Sequence, residues 1–200
     1  MAMYLDLVSS ATTGATGGNS AVGTPPGIQG ESQSPNPNWN QKVEIENMVY
    51  SVSQSTSQQT GTGLVSSGSR VSNLFVQKVM DKSTPILWSF LCSGNPIGVM
   101  FIRVSRPGAS SGSSGSTGGS TAGGGGGTYG GLFEAETYEF QNVIVSSYST
   151  SGSPGAGGLP EEAWSFSFTF VKETYQTVDN MGNLKPLSPA GFDFGQSTAV

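Results

Sequence analysis

The sequence predicts a mainly β fold: a compact antiparallel β-barrel or two-sheet domain with one flanking α-helix. Three observations lead to this prediction. Several short runs alternate apolar and polar side chains, as strands with one buried face do. A single segment, between Ser83 and Gly94, repeats its apolar residues with a helical period. Stretches rich in glycine, serine and threonine separate the runs, as is typical of all-β domains.

The strands are predicted from alternation and from the turn residues that bound each run. In chain order, the predicted strands cover residues 2–8, 42–54, 70–80, 97–106, 132–142, 143–152 and 161–178. The last run has the cleanest pattern, because four aromatic residues alternate with small polar ones. These aromatic residues are Trp164, Phe166, Phe168 and Phe170. The pattern predicts one long strand with an aromatic face turned to the core.

The single helix has recognisable start and stop signals. Ser83 or Thr84 can cap its start, Pro85 suits the first turn, and Gly94 ends it. We expect its apolar face to be buried, since a helix this short is not stable without packing. That face comprises Ile86, Leu87, Phe90 and Leu91. We expect Cys92, beside it, to be a small core residue.

The chain is expected to form one domain, residues 1–200, interrupted by segments that cannot bury apolar area. Residues 9–40 are predicted to be a loop, and 53–69 a long exposed loop or extended arm. Residues 107–131 form an almost pure Gly/Ser/Thr insertion, predicted to be a flexible or extended excursion. The C-terminal tail, residues 184–200, is predicted to be irregular.

Composition argues against several function classes. The net charge is −5, and the eight Lys and Arg residues are scattered singly, which disfavours nucleic-acid binding. No apolar run approaches the roughly 20 residues of a membrane span, so no membrane insertion is expected. The absence of histidine and the single cysteine disfavour triad catalysis and zinc binding. We therefore predict no catalytic residue, no metal and no cofactor.

Five segments, in this order along the chain, resemble the Hcp family, the tube-forming (hemolysin-coregulated) proteins of type VI secretion systems. They are MYLDL (3–7), GIQGES (27–32), DKSTPILWSFLCSGNPIGVMFIRVSRP (81–107), YEFQNVIVSSYSTSG (138–152) and EEAWSFSFTFVKETY (161–175). The resemblance covers most of the chain outside 9–26, 107–131 and 184–200.

The resemblance implies a non-enzymatic, structural role. Six copies of such a barrel close into a ring, rings stack into a hollow tube, and a contractile sheath propels the tube out of the cell. The implied partners are further copies of the chain, effector cargo, and sheath and spike proteins. The N-terminus has neither a basic start nor a long apolar stretch. We therefore expect synthesis in the cytoplasm without a signal peptide, and export through the contractile machine. The alternatives are a free extracellular filament, a monomeric ligand-binding β-barrel and a secreted hydrolase.

The resemblance also suggests which residues meet a neighbouring subunit. In the family an arm after the second long strand reaches the next ring, and by position this arm is 53–69 here. The helix is implied to lie outside the barrel, with Trp88 turned away from it. The candidate interface residues are Trp88, Ser55, Thr56, Gln58, Gln59, Thr60, Leu64 and Val65. The candidate core residues are Leu5, Phe75, Ile86, Leu87, Phe90, Leu91, Phe101, Trp164, Phe166, Phe168 and Phe170.

Overall fold

The computed structural model describes residues 2–9, 28–33, 40–59, 63–107, 132–152, 158–178, 184–186 and 189–199. The elements, in chain order, are β1 (Ala2–Ser9), β2 (Val43–Ile45), β3 (Asn47–Val49), β4 (Val52–Gln59), β5 (Gly63–Val71), β6 (Leu74–Val79), α1 (Thr84–Ser93), β7 (Gly98–Pro107), β8 (Leu132–Ser151), β9 (Glu161–Ser167), β10 (Phe170–Val178), β11 (Leu184–Pro186), β12 (Ala190–Asp193) and β13 (Thr198–Ala199). The predicted mainly β class with one helix is confirmed. The insertion predicted at 107–131 lies outside the described residues from 108 onward.

The strands form one large antiparallel sheet and one separate hairpin. The main path runs β13-β12-β10-β8-β7-β1-β2, with β9 joined to β8 and β6, and β3 joined to β6. The described strands do not close into a barrel. The sheet is interrupted at Glu46, where the chain changes its partner strand. Before Glu46, β2 pairs with β1; after it, β3 pairs with β6. Strands β4 and β5 pair only with each other.

Two of the predicted strand boundaries need correction around one long strand. Residues 132–142 and 143–152 were expected to be two strands, but they form the single 20-residue β8. Asn142 lies in the left-handed region, with φ of 55°, which asparagine tolerates better than most residues. This turn redirects β8 without ending it. Before Asn142 the strand pairs with β7 and β10; after it, the partner is β9.

The predicted strand 161–178 is in fact two strands, β9 and β10, separated at Phe168 and Thr169. At this break the chain leaves β6 and continues along the same edge of β8, with the same register. Residues 42–54 are likewise divided, among β2, β3 and the start of β4. The tail predicted to be irregular carries three short strands, β11, β12 and β13.

Residues 53–69 were predicted to be a long exposed loop or extended arm. Where the structure describes them, they are an arm with strand structure: they form most of the β4–β5 hairpin, which is paired from Val52 opposite Val71 to Gln59 opposite Gly63. The search for alternating apolar and polar residues did not predict these two strands, because the side chains described along β4 are exposed on both faces. Backbone pairing requires no apolar periodicity, so such a strand leaves no pattern in the sequence.

The core is formed mainly by side chains of the strands, with one buried residue from the helix. Six expected core residues are buried there: Leu5, Leu87, Trp164, Phe166, Phe168 and Phe170. Four others are half-buried: Phe75, Phe90, Leu91 and Phe101. The helix packs against β8 through Leu87, its one buried residue. The expectations for Ile86 and Cys92 need correction, because both side chains are exposed. At 100° per residue each points well away from the Leu87 direction, so one narrow contact on β8 cannot cover them.

Candidate assembly surface

The most prominent surface element is the β4–β5 hairpin. It forms its own two-stranded sheet, with a register shift between Gln54 and Ser55. Eight extended residues at 3.3 Å each make β4 about 26 Å long. The side chains of residues 51–56 are exposed, including the candidate interface residues Ser55 and Thr56. The sequence therefore builds a long polar arm on an otherwise compact sheet.

The root of this hairpin is held by aromatic packing. Tyr50 immediately precedes the arm, and its ring contacts Phe140, Tyr138 and Phe168 edge-on at centroid distances of 5.8, 6.1 and 6.2 Å. Edge-to-face pairs of this kind contribute roughly 0.5–1.5 kcal/mol each beyond the buried area. The first residue before the arm is therefore locked into the core, and the arm leaves from a rigid base.

Polar contacts complete the root. The backbone N–H of Ser72 donates to the carbonyl of Ser51 at 2.9 Å, and the N–H of Ser51 donates to the Ser72 hydroxyl at 2.9 Å. The Asn73 amide donates to Ser146 on β8 and accepts from Ser167 on β9, both at 3.2 Å. The first two bonds join the two ends of the hairpin to each other, and the Asn73 bonds tie its β5 end to the main sheet.

The structure places the remaining interface candidates as follows. Gln58 pairs with Leu64 through the backbone, and Val65 pairs with Ser57. Gln59, opposite Gly63, ends β4. The side chains of these residues, and Thr60 as a whole, lie outside the described part of the molecule. Trp88 stands apart, on α1, with 53 % of its surface exposed.

Large apolar side chains are exposed near the arm and on the helix. Val49 and Val52 flank Tyr50 and are 54 % and 52 % exposed. Tryptophan is enriched in protein interfaces relative to the rest of the surface. The arm root and the helix therefore each present apolar surface that a partner could cover.

A buried polar network under the helix was missed by the sequence analysis. The ammonium group of Lys78 lies 2.8 Å from Glu162 and 2.8 Å from Asp81, and the lysine and Glu162 side chains are 1 % and 0 % exposed. The Thr84 hydroxyl, in the first turn of the helix, donates to Glu162 at 2.8 Å. The alternation of apolar residues could have revealed both charges. Lys78 falls on the same buried face of β6 as Leu74 and Val76, and Glu162 falls on the same buried face of β9 as Trp164.

Further donors satisfy the Glu162 carboxylate. The Trp164 indole N–H donates to Oε2 at 3.1 Å, and the Tyr148 hydroxyl donates to Oε1 at 3.2 Å. Burial first, and then the neighbouring Glu162 charge, raise the pKa of Tyr148. A carboxylate surrounded by donors in a dry interior holds strands and helix together. This arrangement stabilises the fold, and it presents no nucleophile to a substrate.

A second polar group lies on the core-facing side of β8 and β10. The Tyr138 hydroxyl donates to Glu136 at 2.7 Å, and burial followed by this carboxylate raises the pKa of Tyr138. Burial, then the charges of Glu173 and Glu136, raise the pKa of Tyr50. Burial, then hydrogen bonding and repulsion with Glu136, raise the pKa of the Glu173 carboxyl. Both phenols therefore stay protonated at neutral pH, and the Tyr138 hydroxyl donates to the Glu136 carboxylate.

The described residues contain neither a candidate metal site nor a helix that could span a membrane. Within those ranges no three acidic or cysteine side chains converge as a metal site would require. The one described helix has ten residues and is therefore too short to cross a bilayer.

A family model described as type VI secretion system effector, Hcp, matches residues 23–175. No curated protein matches the chain in sequence. Among solved structures, one described as a type six secretion system protein superposes with a TM-score of 0.73 at 19 % identity, covering 100 % of this chain and 99 % of that one. Hcp1 from Salmonella typhimurium gives 0.60 at 20 % identity, covering both chains fully. A type VI secretion system effector from Yersinia pestis gives 0.56 at 18 %, covering 96 % and 98 %. At these identities the structures show a shared fold, while the family model covers most of the chain. The chain belongs to the Hcp family of type VI secretion system proteins.

Proposed function

We propose that this chain is a structural tube subunit whose copies close into hexameric rings, and that the rings stack into a hollow tube. The tube is exported through a contractile machine, with effector cargo, sheath and spike proteins as its further partners. Family membership supports this role. The observation that carries it is the rigidly rooted β4–β5 hairpin, which pairs with no other described strand.

The physics of the hairpin favours a second copy as its partner. A two-stranded hairpin alone is at best marginally stable in water, so an arm of this length gains by packing on something. No other described strand pairs with its outer edges, and an exposed strand edge is a template on which another chain can add. Val49 and Val52 add exposed apolar surface at its root. The arm therefore suits contact between stacked rings.

Trp88 supports a second contact, within the ring. Its side chain is half exposed on the outward side of α1, while the adjacent Leu87 is fully buried. Tryptophan contributes more binding energy than most residues when a partner covers it. Helix α1 therefore positions one large apolar side chain for a neighbour, independently of the arm.

The test removes the arm while keeping its root. Replacing residues 53–70 with Asn-Gly joins Val52 to Val71, which already pair, through a two-residue turn that suits a hairpin. In negative-stain microscopy and size-exclusion chromatography, we expect the full chain to form rings and stacks. The arm-less variant should form single rings that do not stack.

A matched control shortens the other long excursion. Pro107 and Leu132 pair with each other, and deleting residues 110–129 leaves four residues between them. This variant should form rings and stacks like the full chain. A full-length protein that remains a 20.5 kDa monomer would overturn the tube proposal. Normal stacking by the arm-less variant would overturn the role of the arm.

A further inference from the structure

A cavity of about 600 Å³ opens at the interruption of the sheet between β2 and β6. Had the β3–β6 ladder continued by two residues, Ile45 would pair with Val79. Instead both residues line the cavity, because β2 has turned to pair with β1. The cavity therefore follows from the strand topology: it is the gap between β2 and the end of β6, which do not pair with each other.

We call this cavity between β2 and β6 the seam. The segment 28–33 holds one of its walls in place. The N–H of Gly30 donates to the carbonyl of Gln41 at 2.8 Å, and the N–H of Ser32 donates to that of Lys42 at 3.2 Å. A Cβ atom on residue 30 would lie 2.2 Å from the Lys42 carbonyl oxygen, so only glycine permits this approach. Glu31 is thereby fixed at the edge of the cavity.

The seam is apolar inside and acidic at its rim. Apolar side chains line it from four segments: Met3, Ile45, Val79, Met80 and Leu159. Leu159 is 66 % exposed, the highest value among the large apolar residues described. Three carboxylates, Glu31, Glu44 and Glu46, are exposed around it. No ion pair within the described residues involves any of the three.

The arrangement of these carboxylates indicates what kind of cation they suit. They do not converge as metal ligands do, in the part of the chain that the structure describes. Glu44 lies on β2 and Glu46 at the bend that follows it, so they are two separate exposed carboxylates on either side of the buried Ile45. Several cationic side chains of one partner segment suit separate carboxylates of this kind better than a single metal ion does.

We propose that this seam binds an extended segment of a partner protein in which lysine or arginine side chains alternate with apolar ones. The apolar side chains enter the seam against Val79, Met80 and Leu159, and the cationic side chains meet the glutamates at the rim. Apolar burial supplies the affinity, and the charges supply the selectivity and the orientation. This inference does not depend on ring or tube assembly.

A second copy of the chain is the poorer occupant on charge grounds. The chain has eight Lys and Arg residues against thirteen Asp and Glu. Three of the eight, Lys42, Lys78 and Arg103, already form ion pairs within the fold. A basic segment from a different protein therefore fits the seam better.

The test measures fluorescence anisotropy of a labelled eight-residue peptide of alternating lysine and valine, titrated with the full-length chain. Exchanging lysine for glutamate in the peptide should abolish binding, and exchanging valine for glycine should weaken it. In the protein, the double variant Glu44→Gln/Glu46→Gln should weaken binding by about tenfold, the effect of two exposed ion pairs. Leu159→Lys, at another exposed rim position, should weaken binding independently.

The matched control is Glu139→Gln, which removes one carboxylate from β8, outside the cavity lining. It should bind the lysine–valine peptide as the unaltered chain does. An equal loss with Glu139→Gln, or equal binding of the lysine–glycine peptide, would reduce the effect to general charge attraction and overturn the proposal. So would no measurable binding of the lysine–valine peptide.

Discussion

The β6–β9 pair and the β4–β5 pair are both antiparallel, yet they differ in what lies on their faces. In β6 and β9 every second side chain is buried, and the buried set includes Lys78 and Glu162. Along the described part of β4 both faces are exposed. The first pair gains its stability within one chain, whereas the second has surface left over for another chain. The comparison separates the residues that maintain the fold from those available for assembly.

Helix α1 brings both kinds of residue side by side, and it offers the largest expected effect. Leu87→Asp would place a charge in a fully buried apolar position, at a cost of more than about 4 kcal/mol, so we expect the domain to unfold. Trp88→Ala, one residue along, should change the unfolding free energy by less than about 1 kcal/mol while impairing ring formation. Circular dichroism and negative-stain microscopy distinguish the two. Normal rings from Trp88→Ala would remove this residue from the interface.

The buried ion pair gives the next largest effect. Lys78→Met keeps the length of the side chain but leaves the Glu162 and Asp81 carboxylates without their cation, at a cost of about 3–5 kcal/mol. The matched control is Lys42→Met, which breaks the more exposed pair with Asp6 and should cost less than about 1 kcal/mol. Urea unfolding of the two variants checks this. Equal costs would mean that burial of the pair does not matter.

A pH-dependent effect, the smallest expected, concerns Glu173. Because its pKa is raised in the folded chain above the ordinary value of 4.5, the folded state holds this proton more tightly than the unfolded state. The ionised form therefore destabilises the fold at neutral pH, and this cost disappears as the pH falls through the raised pKa and below 4.5.

Glu173→Gln should accordingly raise the thermal midpoint at about pH 7 and leave it unchanged at about pH 4. The gain should stay below about 1 kcal/mol, since the side chain is exposed to solvent. Glu161→Gln, at an exposed position on β9, is the control and should have no effect at either pH. A lower midpoint for Glu173→Gln at neutral pH would contradict the prediction.

The success of the sequence analysis follows the same division between buried and exposed faces. The aromatic residues from Trp164 to Phe170 were recognised because one face of their strands is buried. The β4–β5 hairpin was missed as structure because its pattern carries no burial signal. The position of the helix was predicted correctly, but the burial of Ile86 was not. Periodicity shows which residues share a helix face, but it does not show how much of that face contacts β8.

Tertiary pairings explain the remaining misses. No local feature shows that Lys78 meets Glu162, since the two are 84 residues apart and only the β6–β9 register brings them together. The seam between β2 and β6 likewise depends on a change of partner at Glu46. The family, by contrast, could be recognised from short segments in the right order, because those segments cover the helix and the central strands.

The pairing of Pro107 with Leu132 has a consequence for protein engineering. The chain leaves β7 and re-enters β8 at directly opposed positions, so the 24 residues between them close a loop whose ends are only about 5 Å apart. Extending such a loop adds little to the entropy of closing it. A folded domain whose own termini are adjacent could therefore be spliced between residues 107 and 132, giving each subunit a genetically encoded passenger without altering the strand register.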